Sequence, residues 1–301
     1  TVVATFDTFT IKPSLHFPIA NFPIKEAFQI SYNLPEAANP GTVKILFIPQ
    51  NDGEVIDSGA TRVITMATIG EAEGTFTASS LMTSLSSAAS SLSFIQSVSP
   101  ATDLVHMALY TVTLSYKDTA DNVAATTTIG SVEYDTVTEN PSINPPPNGA
   151  YIKTRFVLNI TIPETAFSSS VILTLSPDNA ASHSTIVDSN GVRKITFSSD
   201  VEVAGTHVMN ISNVSKVQLV LSEITSIVNE FDLVDGMVYD MQLKYRDLAF
   251  NDEVQTSLTR VKFSGLETIA PTMASPIGFI PSQIPVDFVI FEDALSGTLQ
   301  L

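Results

Sequence analysis

Tyr110-Thr111-Val112-Thr113-Leu114-Ser115-Tyr116-Lys117-Asp118 decides the fold, because the chain writes it twice. Tyr239-Asp240-Met241-Gln242-Leu243-Lys244-Tyr245-Arg246-Asp247 repeats the pattern 129 residues on, from 110 to 239. In both copies every second residue is apolar and its neighbours are polar. Such alternation places one face on a core and the other in water, as in an antiparallel sheet solvated on one side. A second set of segments recurs three times. Phe28 to Glu36, Phe156 to Glu164 and Ile284 to Glu292 end on glutamates 128 residues apart (36 to 164, 164 to 292). Self-similarity at a fixed period marks an array of like units.

The period sets the expected organisation. Residues 1–12 match the close of a unit and are read as a terminal strand of a preceding or neighbouring one. Residues 13–140 and 141–269 are read as two complete units, and 270–301 as the first strands of a further, incomplete one. Two arrangements account for the partial copies: a stretch of a longer array, or ends that dock on neighbouring subunits by strand addition. Within each unit, apolar residues alternate at Phe28, Ile30, Tyr32 and Leu34, and at Val43, Ile45 and Phe47. The second unit does the same at Leu158, Ile160 and Ile162, and at Val171, Leu173 and Leu175. Turn-forming runs such as Asn51-Asp52-Gly53 and Asp188-Ser189-Asn190-Gly191 separate the strands. Short alternating strands with regular turns predict a β-sandwich.

One region resists this reading. Ser79 to Phe94 is rich in Ser, Ala and Leu, and Leu81, Leu85, Ala88 and Leu92 would share a helical face. Its partner in the second unit, Val217 to Leu221, reads as strand. The segment is therefore expected to be a short helix or an extra hairpin. The unit junctions are rich in proline, at Pro141 with Pro145-Pro146-Pro147, at Pro271 to Pro276, and at Pro13 to Pro23. Proline fixes φ and removes donors, so stiff, extended joints are expected.

Composition narrows the function. The formal charge is −17 with pI near 4.4, which disfavours nucleic acid and anionic lipid as partners. No cysteine is present, so neither disulfides nor thiolate chemistry enters. No segment has the continuous apolar length of a membrane span. The four histidines, His16, His106, His183 and His207, are scattered without metal-ligand spacing. No nucleophile elbow or phosphate loop occurs. These absences point away from an enzyme.

Several motifs resemble the tandem bacterial-type Ig-like repeats of large extracellular surface, stalk or fibre proteins. The run from Tyr110 to Asp118, followed by Thr119-Ala120-Asp121-Asn122, is similar to their late strand and turn. Tyr245-Arg246-Asp247-Leu248-Ala249-Phe250-Asn251 repeats it. Leu266 to Thr272 looks like the joint between such repeats, and Pro147-Asn148-Gly149 like the segment that follows the joint. The family's glycine in the late turn is replaced here by Asp121 and Phe250. The resemblance implies an all-β fold: tandem Ig-like antiparallel β-sandwiches joined by Pro-rich linkers. It also implies a structural role without catalysis, at the cell surface or outside the cell.

Candidate sites follow. Asp118, Asp121 and Asn122, mirrored by Asp247, Asn251 and Asp252, group oxygen ligands after a strand, where calcium could bind. Turn chemistry is the competing account, since Asp and Asn bond the local backbone. Glu36, Glu164 and Glu292 share one phase after a strand and could face a joint and bind a cation, or simply be solvated. Asn159, Asn210 and Asn213 begin N-glycosylation sequons. Asn159 falls on a polar face, between inward Leu158 and Ile160. No other cofactor is expected. The partners expected are copies of the chain itself, in a filament or array, with glycans as decoration. An adhesin or ligand-binding module is the alternative, and it predicts exposed loop aromatics at Phe94, Phe231 or Phe250.

Overall fold

A computed structural model describes residues 6–78, 84–144, 146–153, 155–180, 186–212, 222–229 and 232–265, with 272–273 and 288–289. Its strands build two sandwiches of matching design. The first contains β1 (Ser14–Phe17), β2 (Ser31–Leu34), β3 (Lys44–Pro49), β4 (Arg62–Met66), β5 (Gly74–Thr77), α1 (Leu85–Ser91), β6 (Ile95–Ser99), β7 (Ala108–Tyr116) and β8 (Ala125–Tyr134). The second contains β9 (Ser142–Ile143), β10 (Tyr151–Lys153), β11 (Arg155–Ile162), β12 (Ile172–Pro177), β13 (Arg193–Phe197), α2 (Ser199–Glu202), β14 (Gly205–Ser212), β15 (Ile224–Val228), β16 (Val238–Tyr245) and β17 (Val254–Ser264). Farther on, β18 (Thr272–Met273) pairs with β19 (Phe288–Val289).

Each sandwich faces a small sheet against a large one. In the first, β1-β2-β5 covers β6-β4-β3-β7-β8. In the second, β14-β11-β9 covers β10-β17-β16-β12-β13-β15. The repeat written in the sequence is β7 and β16, central strands whose partners also correspond. Ile45 lies opposite Leu114 on β3 and β7, and Leu173 lies opposite Leu243 on β12 and β16. The alternation falls as expected: Tyr110, Val112, Leu114 and Tyr116 are fully buried, as are Tyr239, Met241, Leu243 and Tyr245. The two cores are separate, one spanning Ile24 to Tyr134 and the other Ile143 to Phe263.

Three details depart from a purely antiparallel array of strands. β10 runs parallel to β17, and Ile24 makes a matching parallel bridge to Tyr134. Residues 6–12, expected to be a strand, form none; the first strand starts at Ser14. The ambiguous region resolves as helix over Leu85–Ser91, burying Leu85 and Ala88, while Leu81 lies outside the described residues. Asp103 accounts for this helix. Its carboxylate accepts from the Ser86 backbone at 2.9 Å and from the Ser84 and Ser86 hydroxyls, satisfying donors that a helix start leaves open. The strand expected at Val217–Leu221 lies outside the described residues.

A polar lock is built into each core. Arg193 is fully buried, ion-paired with Asp188, and its guanidinium also donates to the Asp232 carbonyl at 2.7 Å. Tyr239 Oη donates to Asp188 at 2.7 Å and accepts from Val234 N–H at 2.8 Å. Arg62, Asp57, Asp103 and Tyr110 repeat the arrangement in the first sandwich. A tyrosine at the start of this strand that bonds back to the chain upstream is a known device of Ig-like sandwiches. Burial alone would raise both aspartates. The arginine, tyrosine and backbone donors outweigh it and hold Asp57 and Asp188 below the ordinary carboxylate range.

Candidate functional site: the carboxylate joint between the sandwiches

The last strand of the first sandwich delivers the site. β8 ends at Tyr134, and the chain continues through Asp135 to the second sandwich. Thr138 Oγ1 donates to Asp247 Oδ2 at 2.7 Å. The Glu139 backbone N–H donates to Glu164 Oε2 at 3.4 Å, and Tyr245 Oη donates to the Glu139 carbonyl at 2.7 Å. Asp247 sits just past β16, where Asn251 N–H and Nδ2 donate to its two oxygens at 3.0 and 2.9 Å.

The same bonds occur one period earlier. Thr10 Oγ1 donates to Asp118 Oδ2 at 3.1 Å, Ile11 N–H to Glu36 Oε1 at 2.6 Å, and Tyr116 Oη to the Ile11 carbonyl at 2.7 Å. Asn122 caps Asp118 as Asn251 caps Asp247. The segment before each sandwich is thus clamped by one threonine, one glutamate, one tyrosine and one aspartate. Changing Tyr245 to Phe should leave the Glu139 carbonyl without this donor and cost about 1 kcal/mol. A chemical melt against the parent chain checks that value.

Three carboxylates converge where the sandwiches meet. Asp135 from the first, with Glu164 and Asp247 from the second, place oxygens all within 4.8 Å of one another. Asp135 and Asp247 are buried and Glu164 is half-buried. Burial, reinforced by Asp247 and Glu133, pushes the Asp135 carboxyl up to about 7. Burial, then the charge of Asp135, pushes Glu164 up to about 8. Glu133 is raised as well, by burial and by Glu54 and Asp247. His106 Nδ1 lies 3.4 Å from Asp135 but accepts from Thr136 N–H at 3.1 Å. That nitrogen therefore carries no proton toward the carboxylate. Asp7, Glu36 and Asp118 form the equivalent group one period earlier, with Asp7 exposed.

The structure divides the residues expected to ligate calcium. Asp118 with Asn122, and Asp247 with Asn251, come together as described. Asp121 is exposed and bonds Lys117 Nζ at 2.9 Å and Asn39 at 3.3 Å. Asp252 is exposed and is not one of the three clustered carboxylates. Glu36 and Glu164, weighed as solvated residues, are clamped at the joints; Glu292 lies outside the described residues. Sequence reasoning missed Asp135. Its signal was present, since Asp7-Thr8-Phe9-Thr10 and Asp135-Thr136-Val137-Thr138 also recur at 128 residues.

The other expected positions are placed as follows. Asn159 and Asn210 point outward on β11 and β14, and Asn213 lies outside the described residues. Phe94 is buried against Phe76 with ring centroids 5.9 Å apart, which removes it as a surface aromatic. Phe231 lies outside the described residues. Phe250 is exposed beside Phe167, centroids 4.5 Å apart, and its carbonyl accepts from Lys25 Nζ of the first sandwich. Asp121 and Phe250, standing where the resembling family has glycine, both adopt φ of 61°, the left-handed region that glycine favours.

No known family and no curated protein matches the sequence. Among solved structures, the chain is similar to an ICAM-5 D1–D4 ectodomain fragment, at 11% identity and a TM-score of 0.35, over 88% of this chain and 54% of that one. It spans about half the length of that fragment. It is also similar to fibronectin(III)-like modules of Clostridium thermocellum CbhA (11% identity, TM-score 0.27, covering 86% and 98%). The CFA/I enterotoxigenic E. coli adhesin CfaE is a third (12% identity, TM-score 0.25, covering 83% and 81%). The strand pairing and the tyrosine lock define Ig-like β-sandwiches. No helix among the described residues is long and apolar enough to cross a membrane.

Proposed function

We propose that this chain is a non-catalytic structural subunit of an extracellular filament or stalk, in which like sandwiches follow one another head to tail. The observation that carries the reading is the recurrence of one set of clamp bonds at Thr10, Glu36, Tyr116 and Asp118, and at Thr138, Glu164, Tyr245 and Asp247. A repeated joint repeats the rotation between neighbours. Head-to-tail contacts whose rotation does not close generate an open helical assembly. The acidic cluster favours this reading over an enzyme, because Asp135, Glu164 and Asp247 recur one period earlier as Asp7, Glu36 and Asp118 instead of marking one unit alone. The outward Asn159 and Asn210 suit glycan decoration of such a surface.

A surface adhesin is the second reading, favoured by the exposed Phe167–Phe250 pair beside the joint. Electron microscopy of the native material, with intact mass on the same sample, separates the readings. Filaments with a regular axial repeat are expected. Chains far heavier than 32.2 kDa within them mean a long array, and chains of that mass plus glycans mean strand exchange between subunits. Isolated particles with no axial repeat would sink the filament and favour the adhesin.

A further inference from the structure

We propose that the joint between the two sandwiches is a divalent-cation site, with calcium the best-fitting ion, held by Asp135, Glu164 and Asp247. The proposal is independent of the filament reading, because it concerns two sandwiches of a single chain.

Three observations carry it. The first is geometric. Ligand oxygens of the three carboxylates lie within 4.8 Å of one another. Oxygens that close can share one ion at the about 2.3–2.6 Å of calcium–oxygen contacts, and a set of three carboxylates suits calcium better than magnesium, which one or two carboxylates usually hold. The second is an orphaned atom. Glu164 Oε1 is closed off from solvent and has no hydrogen-bond partner, although its other oxygen accepts from Glu139 N–H. A buried carboxylate oxygen facing nothing is costly unless a cation or a proton completes it. The third is the setting. A cleft of about 510 Å³ opens onto the cluster, and its lining includes Asp52, Glu54, Glu133, Asp135, Glu164 and Asp247 with no lysine, arginine or histidine. Nothing basic in that lining neutralises the carboxylates. Lys25, which bonds across the joint, donates its ammonium to the Phe250 carbonyl, and His106, outside the lining, turns toward Asp135 a nitrogen that accepts from Thr136 N–H.

The coordination follows from these groups. Three carboxylates supply at least three oxygens, and water from the open cleft completes the six to eight that calcium takes. Threonine and asparagine donors already hold Asp247 in place, as outer partners commonly orient metal ligands. Burial first, and then the crowding of like charges, raises the carboxyls at Asp135 and Glu164 before a cation arrives. The earlier group, Asp7, Glu36 and Asp118, is a weaker candidate. Asp7 is exposed there, and Glu36 Oε1 already accepts from Ile11 N–H.

The test uses the full chain, stripped with EGTA and titrated with calcium chloride by calorimetry, with thermal melts in parallel. The parent chain should bind with Kd on the order of 10⁻⁴ to 10⁻³ M, as extracellular modules do, and its melting temperature should rise with calcium. Glu164→Gln should weaken binding at least about tenfold, since affinity follows ligand charge. Asp135→Asn provides a second, independent variant. Exposed Asp252→Asn should bind as the parent does. No calcium response in the parent, or an unchanged response in both Glu164→Gln and Asp135→Asn, overturns the site.

Discussion

Replacing Arg193 with methionine should destabilise the second sandwich by about 3–5 kcal/mol, the range seen when one partner of a buried ion pair is removed. Arg193 and Asp188 are both fully buried. Without the guanidinium, the Asp188 carboxylate keeps Tyr239 and Asn190 N–H as donors but has no opposite charge. The Asp232 carbonyl loses its donor as well. Cation–π contact with the Tyr239 ring, 5.6 Å from the guanidinium carbon, disappears too. Calorimetry resolves the effect, because the two cores are separate. The transition of the second sandwich should drop, and that of the first should hold. Adding Asp188→Leu to Arg193→Met should recover much of the loss, since apolar replacement of both charges is often neutral. A single variant that melts like the parent would show that the lock contributes little to stability.

In divalent-free buffer the joint should lose stability as pH rises from about 5 to 8. Unfolded carboxyls titrate near 4, whereas Asp135 and Glu164 titrate at about 7 and about 8 in the folded chain. Between those limits the folded state holds protons that the unfolded state has released. Their contribution is therefore complete below pH 4 and lost as pH rises through 7 to 8. Allowing for solvent around half-buried Glu164, the fall should be on the order of 2 kcal/mol. Asp57 and Asp188 oppose it at the acid end. Their carboxyls are depressed, so the stability they give is present above about 4 and is lost on further acidification. Urea midpoints at pH 5 and pH 8 measure the slope, which Glu164→Gln should flatten. A parent chain with equal midpoints at both values would refute the crowding.

Much of the fold was written in the residues because a sheet with one wet face imposes period two. Tyr110 to Tyr116 and Tyr239 to Tyr245 state their burial residue by residue. The helix at Leu85–Ser91 was less legible, since its start depends on Asp103, seventeen residues beyond Ser86. The polar lock was missed for a similar reason. Asp188 reads as a turn former within Asp188-Ser189-Asn190-Gly191, and only the fold brings Tyr239 to it. A recurring Asp five residues before Arg, at 57 and 62 and again at 188 and 193, was the available hint. The site was half legible. Asp247 and Asn251 advertised oxygen ligands after a strand, but Asp135 and Glu164 become neighbours only when one sandwich is stacked on the next.

The parallel pairing of β10 with β17 bears on how the chain carries load. After β9, which pairs β11, the chain runs through β10 and later leaves the second sandwich through β17, β10 and β17 lying side by side and in the same direction. Tension along the chain therefore draws the two strands past one another. Tyr151 to Lys153 and Lys262 to Ser264 then resist in shear, sharing the force across the register instead of peeling one bond at a time. Ile24 and Tyr134 hold the same place in the first sandwich, where Ile24 N–H bonds Glu133 and Asp135 N–H bonds Ile24, both at 2.8 Å. Each sandwich thus holds a parallel pairing between an early segment and its last strand, a strand pair in the second and a single bridge in the first, which a pull along the chain loads in shear.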